Sequence, residues 1–248
     1  MPTDRPVPPA PSANAALQSG HFADPERSAP RMAPADTPYV RRHLDAVLDA
    51  AAIPPGGRVL ELGAGMGRFS LLLAGLGFEV TACDLSADLL AVLARHDPDG
   101  RVRRVVADAA LVEREIAGPF DAVVGFFFLH HLPSPAGVFA AAARLLAPGG
   151  RAVFCEPHAW HAGYYAQILF TPAMSWRADR GVARMRARPL ERALRRAGLA
   201  PLPSLRYGLF PPAWVRGPRG ARLERALERL PQGLPPRAFL RVAGVRGA

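Results

Sequence analysis

The sequence predicts a doubly wound α/β domain. Five short apolar runs carry no polar alternation, as strands buried on both faces do. A helical stretch follows the first, second and fourth, the order that gives a mainly parallel sheet with helices on both faces. A glycine-rich turn follows the first run, at the edge where such sheets take ligands. With 248 residues, half of them hydrophobic, the chain is long enough to close a sizeable core.

Residues 1–36 hold eight prolines and little apolar periodicity, so they are expected to form a loose Pro/Ala-rich arm. A single domain is expected over 37–248, divided into a core at 37–156, a cap at 157–188 and terminal helices and strands at 189–248. Thr37-Pro38 starts a helix, a capping side chain followed by proline at the first helical position. Its apolar face runs through Val40, Leu44, Val47 and Leu48 until Ile53-Pro54-Pro55-Gly56-Gly57 stops it. Val59–Leu62 reads as a strand, Arg68–Ala74 as a helix, and Phe78–Cys83 as a strand. Ser86 caps a helix through Leu93, and Val102–Val106 is the third strand. Phe120–Phe128, the most apolar stretch, is the fourth; Ser134-Pro135 then opens a helix through Leu146. Pro148-Gly149-Gly150 turns into a fifth strand at Arg151–Cys155. Beyond Glu156-Pro157 the alternation lapses for about thirty residues. A helix near Leu190–Ala197, an extended run at Ser204–Phe210, a helix near Arg222–Leu230 and a strand at Ala238–Val245 complete the reading.

The net charge of +10 invites a nucleic-acid partner, yet all 31 basic residues are Arg and none is Lys, which is what GC-rich coding produces in any protein. Residues 1–158 hold 14 Arg against 17 acids, and residues 159–248 hold 17 Arg against 4 acids, so the excess belongs to the last third. No nucleic-acid partner is expected. Cys83 and Cys155 are too isolated for a disulfide framework, no leader opens the chain, and no apolar run approaches bilayer length. A soluble cytoplasmic protein without a membrane span is expected; its oligomeric state is left open.

Glu61-Leu62-Gly63-Ala64-Gly65-Met66-Gly67 lies between the first strand and its helix, so its glycines bring bare backbone and free N–H groups to one edge. Asp84 ends the second strand, 21 positions beyond Gly63, where a carboxylate accepts both hydroxyls of a ribose. Asp108 follows the third strand and is placed to meet an adenine amino group. A dinucleotide loop wants G-x-G-x-x-G. Here the spacing is G-x-G-x-G with an acid at Glu61, which repels pyrophosphate and suits an ammonium and a sulfonium.

Five features occur in order over residues 39–156: the loop at 59–67, Cys83-Asp84-Leu85, Asp108 after Val105-Val106-Ala107, Phe120–Val124 leading to Leu129-His130-His131-Leu132, and Leu145–Gly150. On these the chain resembles the class I S-adenosylmethionine-dependent methyltransferases, in their small-molecule branch. The resemblance implies a Rossmann-like, seven-stranded sheet whose last strand runs antiparallel between the fifth and sixth. It also implies that S-adenosyl-L-methionine lies across Gly63, Ala64, Gly65 and Gly67 beside Glu61. The ribose would meet Asp84, the adenine Leu85, Asp108 and Ala109, and the methionine end Gly125 and Phe126. Tyr39 would face the cofactor. The expected reaction is in-line methyl transfer to a small organic or lipid-like metabolite. Methylation of RNA or protein, and a non-catalytic cofactor-binding protein, are the alternatives.

Where the acceptor arrives protonated, a base is needed, and His131 or His158 suits that role because imidazole titrates near neutrality. His130, Glu156 and His161 are further candidates for the base after the fourth and fifth strands. No metal site is expected, since no paired acids carry an obvious divalent-ion role. The segment from Glu156 to Tyr165 concentrates aromatic and titratable groups and is the expected neighbour of the substrate.

Overall fold

The computed structural model describes residues 32–171, 174–210, 217–229 and 237–247, together with Gln18, Gly20, Asp24, Pro25, Glu26 and Val215. The expected arm at 1–36 therefore lies largely outside the described residues.

Thr37 caps helix α1 (Pro38–Ala51) as its sequence predicts, its Oγ1 accepting the Val40 N–H at 3.3 Å. Strand β1 (Arg58–Leu62) begins where Asp121 Oδ2 accepts the Arg58 N–H at 2.8 Å, a link that sets its register on the later strand β4 (Phe120–Phe126). Helix α2 (Ser70–Gly75) leads to strand β2 (Glu79–Asp84), and Ser86 caps helix α3 (Ala87–His96) through the Leu89 N–H at 3.2 Å. Strand β3 (Val102–Val106) precedes β4; helix α4 (Ala136–Leu145) follows it and runs directly into strand β5 (Leu146–Pro157). The fifth strand thus starts five residues before the expected Arg151. The segment Pro148-Gly149-Gly150 is a bulge within the ladder and not a turn outside it: register shifts between Phe120 and Ala122, and Gly149 takes φ +76°.

Helices α5 (Ala162–Phe170) and α6 (Trp176–Asp179) occupy the segment where regular alternation lapses. Helix α7 (Ala187–Arg196), strand β6 (Leu199–Tyr207), helix α8 (Pro218–Leu227) and strand β7 (Phe239–Arg246) end the chain. Strand β6 begins five residues earlier than the expected Ser204, running through Pro201 and Pro203. It tolerates them because it is the outermost strand, with no neighbour on its far side among the described residues.

The sheet order is β3-β2-β1-β4-β5-β7-β6, parallel except that β7 runs antiparallel to both neighbours. This is the expected Rossmann-like architecture. Val40, Val47, Leu73 and Leu93 of α1, α2 and α3 fill one face, and Phe139, Leu145, Leu190 and Leu194 of α4 and α7 fill the other. No helix among the described residues is long and apolar enough to cross a membrane. Leu194 is fully buried between α7 and the last two strands, so Leu194→Ala should cost about 2–5 kcal/mol, read as a lower urea midpoint with an unchanged slope.

Candidate active site

The carboxyl ends of the parallel strands open into one cavity of about 1150 Å³, larger than most single-ligand pockets and roomy enough for a nucleoside cofactor together with an acceptor. Of the residues expected to bind cofactor, Tyr39, Glu61, Gly63, Ala64, Asp84, Leu85, Asp108, Ala109 and Phe126 line it. Of the two expected catalytic histidines, His131 lines it and His158 does not.

Backbone geometry explains the glycines. Gly63 takes φ +71° and accepts no side chain, because the Phe128 ring lies where its Cβ would be. That same ring closes over Gly125, so Gly63 and Gly125 hold one aromatic wedge between them, and Gly125 stands behind the wall instead of lining the cavity. Gly65 and Gly67 also stand back from it: Met32 covers the first and Leu93 the second.

Asp84 ties the loop together. Its Oδ2 accepts the Gly65 N–H at 2.7 Å and its Oδ1 the Ser86 N–H at 2.9 Å. A carboxylate oxygen accepts two hydrogen bonds, so both retain capacity to accept from a ligand in the cavity. Burial raises the Asp84 pKa, while the N–H donors of Ser86, Gly65 and Leu85 counteract it. Asp108 Oδ1 accepts the Ala110 N–H at 2.9 Å and still faces the cavity. Glu61 is buried at the base of the loop, bonded by the Ser70 hydroxyl, and burial pushes its pKa up to about 8. An acid held protonated in a dry pocket is poised to ionise when a cation arrives.

The far half of the cavity has another character. Strand β4 is followed by Phe127, a non-glycine residue at φ +58°, whose N–H donates to Cys155 O at 2.8 Å. That reversal aims the next N–H groups at Glu156: Oε1 accepts from Phe128 at 3.0 Å and from Leu129 at 2.8 Å. Glu156 Oε2 lies 2.6 Å from His130 Nδ1, with both side chains buried. A carboxylate oxygen accepts, so the ring donates through Nδ1–H and turns its other nitrogen, Nε2, away from Glu156. The Tyr164 hydroxyl stands 3.2 Å from that nitrogen. The His131 ring lies tilted against that of His130, their centroids 4.0 Å apart, with its Nδ1 3.2 Å from Ala178 O.

The segment over this end is pressed close. A Cβ at Gly181 would collide with the His130 carbonyl, and Arg184 donates to Leu132 O at 2.7 Å. Phe69 stacks on Phe126 at 3.8 Å, and Tyr39, Phe127 and Phe239 complete an aromatic wall backed by His43. His158 lies behind it, buried, with its N–H on Ala238 O at 2.7 Å. Burial, with the Arg206 charge nearby, lowers its pKa. His158 follows Pro157, the last residue of β5, so the strand no longer fixes its direction, whereas Glu156 within the strand reaches the site through His130.

Sequence reasoning did not commit to Phe69, His130 or Phe239 as site residues, nor did it weigh Asp179. Phe239 sits on the antiparallel strand, far from any motif; His130 was visible beside His131, but only the fold identifies which of the two Glu156 holds.

Residues 37–204 match the family described as a methyltransferase domain. The ubiquinone biosynthesis O-methyltransferase of Burkholderia ambifaria is 41% identical over 110 residues, 43% of this chain and 47% of that protein, so this match spans about half of the relative's length. The protein of the same name from Burkholderia pseudomallei is 34% identical over 159 residues, covering 61% of this chain and 68% of the relative. Among solved structures, Haemonchus contortus phosphoethanolamine N-methyltransferase 2 in complex with S-adenosyl-L-methionine superposes with a TM-score of 0.61 at 17% identity, over 98% of this chain and 62% of that one, a likeness of fold.

The Glu61 carboxyl, with an ordinary pKa of 4.5 and about 8 when folded, stabilises the fold while protonated. That contribution is complete below about 4.5 and is lost as pH rises toward about 8. Thermal melts of the ligand-free protein should show Glu61→Gln gaining stability relative to the parent between pH 5 and pH 8, to be read as a difference in melting temperature at each pH (roughly one unit apart).

Proposed function

The chain belongs to the class I S-adenosylmethionine-dependent methyltransferases, and on that premise we propose that it methylates an oxygen of a small, largely apolar organic acceptor. The observation that carries this reading is the second half of the cavity: a space walled by Phe69, Phe126, Phe127 and Phe239 with His130 and His131 at its end. Aromatic walls favour a flat apolar molecule, and paired imidazoles among them suit a hydroxyl. The two relatives named as O-methyltransferases support oxygen as the target.

When bound, S-adenosylmethionine supplies a methyl group already activated by its sulfonium. The protein's part is then to hold, orient and exclude water, which proximity makes effective. Asp84 holds the ribose hydroxyls, Leu85 and Ala109 flank the adenine with Asp108 at its edge, and Glu61 ionises to meet the cationic methionine end. Phe126 and Tyr39 bound the passage between the two halves. His130 and His131 meet the acceptor's oxygen, with His131 retained as a catalytic residue; His158, turned behind the wall, has no such part. The cap helices α5 and α6 close the acceptor side against water.

Incubation with methyl-labelled cofactor and a panel of hydroxylated aromatic and aliphatic metabolites should give labelled ethers. Transfer to RNA or protein with none to the panel overturns the acceptor class, and cofactor binding without any transfer supports a non-catalytic role. Asp84→Ala should weaken cofactor binding by about 10- to 100-fold, measured calorimetrically, in line with loss of hydrogen bonds to a charged group. His131→Ala should lower turnover by about 100-fold or more while cofactor affinity stays within about twofold.

A further inference from the structure

The sequence marks no metal site, because its ligand types are scattered. Folding changes this: His130, His131 and Asp179 each bring one donor atom within 4.8 Å of the others. Asp179 comes from the end of α6, 49 residues beyond His130, so no local motif signals it.

Three features of the cluster point the same way. Asp179 is fully buried, and its Oδ1 has no hydrogen-bond partner among the described residues, while Oδ2 accepts the Ser175 N–H at 2.9 Å. An uncompensated buried carboxylate oxygen is expensive. That oxygen lies 3.9 Å from His130 Nε2, too far for a hydrogen bond. A cation seated in this buried gap would meet the unpartnered Asp179 oxygen and the imidazole together. Zinc–nitrogen and zinc–oxygen bonds of about 2.0–2.2 Å at a tetrahedral angle set such atoms about 3.4 Å apart, so closure needs a shift of about half an ångström for this pair and up to about 1.4 Å for the most distant donors. Finally, a histidine whose second nitrogen donates to a carboxylate is the usual support for a metal ligand, since it fixes the tautomer and raises basicity.

We propose that His130, His131 and Asp179 bind one divalent transition-metal ion of the zinc class, with Glu156 positioning His130. Two imidazoles and one carboxylate suit zinc and cobalt better than calcium or magnesium. Three protein ligands leave a fourth position, and because His130, His131 and Tyr164 line the cavity, that position opens toward the acceptor space. Tyr164 yields its contact with Nε2 when the ion binds. A hydroxyl taking the open position would release its proton to water more readily than in solution. This last consequence alone rests on the proposed acceptor chemistry; metal binding does not.

The test uses untagged full-length protein stripped with chelator, without cofactor or acceptor, so that failure of metal uptake and failure of methyl transfer are separate results. Calorimetric titration with zinc, and elemental analysis after dialysis, should give one ion per chain; cobalt should give the intense visible absorption of a four-coordinate site. Asp179→Asn and His131→Ala should each weaken uptake by about 100-fold, and Glu156→Gln by about 10- to 100-fold. Circular dichroism and cofactor binding report whether each variant is folded. No zinc uptake by the parent protein overturns the proposal whatever the variants do. So does uptake unchanged in folded Asp179→Asn and His131→Ala.

Discussion

The Glu156 carboxyl is the constraint on which the far half of the cavity depends. It is fully buried at the end of β5 and takes hydrogen bonds from the Phe128 and Leu129 N–H groups and from the His130 ring. A buried carboxylate is tolerated only when its oxygens are satisfied, and here the donors come from the turn after the neighbouring strand. The turn is locked in place, Phe127 is held at positive φ, and the Phe128 ring is driven between Gly63 and Gly125. One carboxyl thus couples the glycine loop, the aromatic wall and the histidine pair.

The two halves of the cavity are built by different means. Around Gly63–Gly67 the backbone does most of the work, with Asp84 accepting N–H groups from both the loop and the next helix. At the other end side chains from distant parts of the chain converge: the histidines after β4, Glu156 on β5, Tyr164 and Asp179 on the cap, Phe239 on β7. The first half is local in sequence; the second exists only once the sheet has formed.

The basic last third reads differently in three dimensions. On α7, Leu190 and Leu194 are buried while Arg188, Arg192, Arg195 and Arg196 are exposed, the pattern of a solvated helix face. On α8, Glu224 turns inward to accept the Leu209 and Phe210 N–H groups, and Glu228 pairs with Arg42 at 2.5 Å. Acids in this region serve the fold, so the remaining arginines dominate its surface.

By itself the sequence determined the sheet and the loop, because strand burial, capping and turn chemistry act over a few residues: Thr37 and Ser86 cap the helices their neighbours imply. It placed β6 late, since Pro201 and Pro203 read as breakers until the strand is seen to lie at an edge. It offered His158 with His131, because His158 lies just past the end of β5, where the sequence does not reveal which way the chain leaves the sheet. Tertiary structure alone decided that Glu156 holds His130 and that Asp179 meets it 3.9 Å away, since contacts across 26 and 49 residues follow from sheet register and cap packing.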